Sequence, residues 1–124
     1  MTTLSPEIEQ AARALGQALR AQPAMEAYLA AAQRVAADAE ASELEKQVYA
    51  VYEALIARQQ AGEQIPRAEI QAFYTLRDRF FSHPLVEERE NALQLLKGLL
   101  LETAARLSEP LGVDYTILAR KNEP

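Results

Sequence analysis

Apolar residues recur along the chain at helical spacing, most regularly between Ala39 and Ser82. Leu44, Val48, Val51 and Leu55 follow at steps of four, three and four, which at about 100° per residue puts them in one narrow stripe. Tyr49, Tyr52 and Ile56 form a second row beside it, widening the apolar arc to about 160°, more than one neighbouring helix covers. After Gly62-Glu63-Gln64-Ile65-Pro66 the rhythm resumes in Ile70, Phe73, Leu76 and Phe80. Gly62 stands where a helix C′ position favours positive φ, and Pro66 where a helix can begin without losing a needed donor. The pattern predicts two helices folded back on each other as an antiparallel hairpin, central to an all-α fold of about five helices.

The remaining segments extend this pattern. Ser5 as N-cap, Pro6 at the first helical position and Glu7 and Glu9 in the opening turn predict a helix whose inner stripe is Ile8, Ala12, Leu15 and Leu19. Gly16 inside it costs about 1 kcal/mol relative to alanine, which suggests a close helix approach there. A second helix restarts at Pro23 with Met25, Tyr28 or Leu29, Ala32 and Val35 facing inward. At its end either Asp38 caps a new helix, with Ser42 and Glu45 as a capping box one turn later, or the second and third helices run together. Ser82-His83-Pro84 ends the fourth helix and begins the fifth, which is the most apolar. Its face of Leu85, Ala92, Leu93, Leu96, Leu99, Leu100 and Leu107, flanked by Leu95 and Leu101, predicts a helix that is central or shared between subunits. It is expected to stop before Pro110, with a short mobile tail from about residue 115.

Composition narrows the classes. At 124 residues the chain suits a single helical domain, 1–124. Scarce glycine and abundant Ala, Leu, Glu and Arg favour helix, because these side chains lose little freedom there. A net charge of −5 disfavours direct binding to nucleic acid or an anionic membrane. With no cysteine the chain offers no disulfide, thiolate nucleophile or sulfur ligand. The start lacks a basic n-region and an apolar h-region, and Leu99-Leu100-Leu101 is far too short to span a bilayer. The expected location is the cytoplasm.

Candidate chemistry is thin. His83 is the sole histidine, which excludes a two-histidine metal site within one chain; before a proline at a helix start it reads as a cap or a solvent contact. The acidic groups Glu40, Glu43, Glu45 and Glu87, Glu88, Glu90 point to different sides of their helices and suit a solvated face. Arg77 and Arg79 lie about 200° apart on a helix, so they make no single patch for phosphates. No Gly-x-Ser-x-Gly elbow or glycine-rich phosphate loop is present. No catalytic, cofactor-binding or metal-ligating residue is therefore assigned. Tyr49, Tyr52, Ile56, Phe73 and Phe80 are the candidates for protein contact, since a tyrosine buries a ring while its hydroxyl stays wet.

Leu15-Gly16-Gln17-Ala18-Leu19, Tyr28-Leu29-Ala30-Ala31, Asp38, the turn Gly62-Glu63-Gln64-Ile65-Pro66, Pro84-Leu85-Val86 and the ending Leu107-Ser108-Glu109-Pro110-Leu111-Gly112-Val113-Asp114 resemble, in order, the YlbF/YmcA family of small bacterial helical proteins. Where that family often has Asn before the proline, this chain has His83. The resemblance implies a self-associating regulator without known catalytic residues. Some members join a YaaT protein in acting on RNase Y, with effects on processing of polycistronic mRNA, competence, sporulation and biofilm formation. Iron–sulfur clusters are associated with that complex, but this chain has no cysteine to supply a ligand. The expected function is thus a non-catalytic adaptor, a dimer or larger, with another family member, a YaaT-like protein or RNase Y as partner. The alternative is a small helical enzyme or anion-binding protein in which Arg13, Arg34 and Arg106 line a groove between helices or subunits.

Overall fold

The computed structural model describes residues 3–120. Among these the chain forms six helices and no strand: α1 (Pro6–Arg20), α2 (Pro23–Ala37), α3 (Ala39–Gln60), α4 (Arg67–Phe81), α5 (Pro84–Leu111) and α6 (Tyr115–Ala119). No helix among the described residues is long and apolar enough to cross a membrane.

Local chemistry sets the helix boundaries. The Ser5 hydroxyl accepts from the Ile8 N–H at 3.2 Å at the start of α1, and an Asp38 carboxylate oxygen accepts from the Ala41 N–H at 2.9 Å at the start of α3. Asp38 is extended, with φ −88° and ψ 123°, so it separates α2 from α3, and Ser42 lies inside α3 rather than capping it. Gly62 takes φ +84°. The Gly62 N–H bonds the Gln59 carbonyl and the Glu63 N–H the Arg58 carbonyl, each at 3.0 Å, the two bonds of a Schellman ending. At the start of α5 the His83 Nδ1 accepts from the Leu85 N–H at 3.2 Å, so the imidazole serves as the cap.

Two compact units divide the chain: one is Tyr28–Asn91, and the other joins the residues up to Ala27 with those from Ala92 on. The Tyr28–Asn91 unit holds the main core. Val35, Ala41, Leu44, Val48, Phe80 and Val86 are buried together, with Phe73, Leu76 and Leu85 packed against them. Complete burial of Val35 and Val86 stabilises by about 1.5–3 kcal/mol each. Within this unit α3 and α4 pack on each other: Arg58 bonds Glu69 at 2.6 Å, and the Tyr52 and Phe73 rings lie 6.1 Å apart. Arg89 crosses the core edge, bonding Glu45 at 2.8 Å and lying 5.7 Å over the Phe80 ring.

The other unit departs from expectation. Among its described residues only Leu96 and Ala104 are buried hydrophobics. The stripe read as the inner face of α1 is open, with Ile8 56% exposed and Leu19 alone half-buried. No atom lies within 4 Å of where a Gly16 Cβ would stand, so the close helix approach expected there is absent. Helix α5 does not stop before Pro110 but runs to Leu111. A proline in the last turn removes only one donor, and the true stop is Gly112, with φ +76° and its N–H on the Ser108 and Glu109 carbonyls. The stretch expected as a tail carries α6, while Lys121 to Pro124 lie outside the described residues. Ser108 holds α6 in register: its hydroxyl donates to the Ala104 carbonyl at 2.7 Å and accepts from the Tyr115 N–H at 2.8 Å.

The start of α6 has a pH signature. The Asp114 carboxylate accepts from the Thr116 hydroxyl at 2.6 Å and the Thr116 N–H at 2.9 Å, which lowers its pKa from the ordinary 3.8. A depressed carboxylate adds stability that is present above the unfolded pKa and lost as pH falls through the folded one. The cap is therefore expected to persist below the ordinary carboxylate range. A titration following the Thr116 amide by NMR checks this, and a midpoint at or above 3.8 would show the cap to be absent.

Candidate protein-interaction surface

On the outer side of α3 and α4 runs an apolar groove of about 330 Å³. Val51, Leu55, Phe73 and Leu76 form its walls, and Ala54 and Ala72 leave it open because neither carries a side chain beyond Cβ. On α3 the same periodicity yields core at Leu44 and Val48 and groove at Val51 and Leu55, while Phe73 and Leu76 of α4 both line the groove and pack against the core.

One end of the groove is ionic. Arg58 pairs with Glu63 and with Glu69, spanning the turn, and these bonds raise its pKa above the ordinary value. Its charge is therefore engaged within the chain. Above the groove Tyr52 meets Phe73, Phe73 meets Tyr74 with ring centroids 5.8 Å apart, and the Arg77 guanidinium lies 4.7 Å over the Tyr74 ring. Aromatic rings and arginine beside a cleft are the composition of interface hot spots.

The five residues read from the sequence as contact candidates fall into three environments. Tyr49 and Tyr52 are 59% and 50% exposed on α3. Ile56 and Phe73 are half-buried, and Phe73 is part of the groove wall. Phe80, at 3% exposure, is in the core and offers no surface. It shares a stripe with Phe73, which packs against the same core cluster from its edge and stays half-buried. Sequence reasoning missed Ala54, Ala72 and the Arg58 clamp. The signal available was a pair of alanines facing each other across the hairpin and acids at 63 and 69 within reach of residue 58.

The unit that holds α1 also exposes large apolar side chains. Ile8, Leu15, Leu95, Leu101, Ile117 and Leu118 are all exposed there. Two ion pairs lie in this unit, Glu9 with Arg13 at 3.1 Å and Arg106 with Glu109 at 3.4 Å.

Other chemistry finds little support in the geometry. The arginines named for an anion site are each engaged by a carboxylate, Arg34 by Glu88 and the other two as just described. None lines the α3–α4 groove. Among the described residues no three His, Cys, Asp or Glu side chains gather as they would around a metal ion. His83, with Nδ1 committed to its cap, has Nε2 3.4 Å from an Asp38 carboxylate oxygen. The imidazole thus sits between the starts of α3 and α5 as a structural link.

Compared with known proteins, residues 8–112 match the profile of a family described as control of competence regulator ComK, YlbF/YmcA. No curated protein matches the chain.

Proposed function

The chain belongs to the YlbF/YmcA family, which controls the competence regulator ComK, and from that membership we propose that it regulates as an adaptor, through self-association and through docking of a partner protein on the α3–α4 surface. The observation that carries the docking part is the solvent-facing Tyr52 ring 6.1 Å from the groove-lining Phe73, at an apolar groove of about 330 Å³, with Tyr49 also exposed on α3. Exposed tyrosine rings beside a cleft bury well on binding while their hydroxyls keep water or find a partner. The family resemblance supports a ribonuclease assembly of the RNase Y kind, or a second family member, as what is held. Its regulation of mRNA processing is then one of positioning, with chemistry supplied by the partner.

A tagged pull-down from the native host, read by mass spectrometry, tests this. The wild-type chain is expected to recover a ribonuclease or a second family member, and Tyr49→Ala with Tyr52→Ala to lose it by about tenfold or more, the scale of a hot-spot truncation. Both side chains are half exposed or more, so the pair should leave stability within about 1 kcal/mol. Equal recovery by the variant removes the α3–α4 surface from the reading, and recovery of neither partner removes the adaptor.

A further inference from the structure

We infer that His83 is a proton-operated cap: the neutral imidazole holds the start of α5, and the protonated ring releases that start and closes on Asp38.

The two ring nitrogens define the neutral state. Nδ1 accepts from the Leu85 N–H at 3.2 Å, so it carries no proton, and the one ring N–H of the neutral imidazole is on Nε2. Nε2 stands 3.4 Å from an Asp38 carboxylate oxygen. Asp38 in turn caps α3 by accepting from the Ala41 N–H at 2.9 Å. The bond to Leu85 is part-buried and the imidazole only 13% exposed, so water has little access to take the place of Nδ1.

A second ring proton changes both contacts. Histidine is the side chain that ordinarily changes charge between about pH 5 and about pH 8. With both nitrogens protonated the ring only donates, and the Leu85 N–H meets a donor where it had an acceptor. The positive end of the α5 dipole opposes a cation there as well. Toward Asp38 the change is favourable: a charge-assisted N–H to carboxylate bond is about 2.7–2.9 Å long, shorter than the 3.4 Å now present. The ring therefore moves toward Asp38 and off Leu85. Glu40 from α3 and Asp78 and Arg79 from α4 line the same cavity of about 490 Å³, so the imidazolium has room to move and two further acids beside it. On α2 and α5, Arg34 and Glu88 pair with each other, and Glu87 lies in the first turn of α5. A carboxylate accepts more than one bond, so Asp38 keeps the Ala41 N–H and α3 stays capped. What loosens is the turn that carries Leu85, packed against the core, and Val86, buried in it.

NMR of the imidazole nitrogens and backbone amides of the full chain, from about pH 8 to about pH 5 with exchange corrected for its intrinsic pH dependence, tests this. At the alkaline end Nδ1 is expected to be bare and Nε2 protonated. As Nδ1 gains its proton, protection of the Leu85 amide should fall about tenfold, the scale of a lost N-cap, while the Ala41 and Val48 amides hold. His83→Asn is the control, because its amide oxygen caps a helix and does not titrate, so Leu85 should stay protected across the range. A ring that carries its proton on Nδ1 at the alkaline end, or that stays neutral to the acid end, overturns the inference. A Leu85 amide indifferent to the ring's protonation overturns it too. So does a fall at Leu85 that the Asn variant or the Ala41 and Val48 amides share, since another group would then be the switch.

Discussion

Phe80→Ala is expected to lower the unfolding free energy by about 3–5 kcal/mol, the range for a buried phenylalanine whose cavity its surroundings cannot close. The ring is 3% exposed and belongs to the buried cluster that joins α4 to the other three helices of its unit, with Val35 on α2, Ala41, Leu44 and Val48 on α3, and Val86 on α5. It also supports the Phe81 ring, 5.0 Å away, and the Arg89 guanidinium. Val35 and Val86 cannot fill the space, because branching at Cβ leaves each with few rotamers. The loss is a large share of the roughly 5–15 kcal/mol that holds a domain of this size together. Urea unfolding followed by circular dichroism should show a lower midpoint at unchanged slope. Phe81→Ala is the control, since that neighbour is exposed. A cost for Phe80→Ala no greater than for Phe81→Ala would mean that the core is elsewhere.

The second large effect is expected at Glu45. Its carboxylate bonds Arg89 at 2.8 Å, and the two side chains are 29% and 14% exposed. Burial pulls the Arg89 pKa down, but the bond and charge of Glu45, with Glu90 adding to them, outweigh it and leave the guanidinium above its ordinary value. Glu45→Ala strands most of a covered charge, with Glu90 at 3.5 Å as the remaining partner. Leaving such a group unsatisfied costs about 1–3 kcal/mol. Arg89→Met keeps an aliphatic stem over Phe80 and removes the charge, so it should cost less than Glu45→Ala, and the double variant should cost less than the sum. A double-mutant cycle measures this coupling. The contrast is Arg34 with Glu88, where both partners are about half exposed and the same cycle should give about 0–1 kcal/mol. Equal couplings for the two pairs would show that cover by Phe80 and its neighbours does not matter.

The devices legible in the sequence were those that act within a few residues. Ser5, Gly62 and Pro84 do at their positions what their side chains dictate, because a cap or a positive φ needs no distant partner, whereas at Asp38 the sequence left two readings open and the structure has the cap. The all-helical class and the family were legible as well, the first from composition and period, the second from motifs spread over most of the chain. Periodicity failed where it was asked what covers a face. Ile8 and Leu15 repeat as regularly as Leu44 and Val48, yet the first pair is open and the second buried. Phe73 and Phe80 share a stripe and differ in depth: Phe80 lies inside the buried cluster, and Phe73 packs against it while also lining the groove. Pro110 misled because its steric rule was applied at a position where the helix was already ending. The Arg58 clamp was hidden because its two acids lie beyond a turn, in another helix or its approach.

The division of the chain sets an order of assembly during synthesis. One unit is a single continuous stretch, 28–91, whose main helix contact, α3 with α4, joins near neighbours in sequence. Such local contacts form quickly. The other unit is built from both ends of the chain. At about 5–20 residues per second, the ribosome needs some seconds more to deliver the part after Asn91, and until then α1 waits without its own half of the molecule. A pause in translation past that point would leave a finished core bearing an unfinished amphipathic strand of chain, the state in which a chaperone would find it.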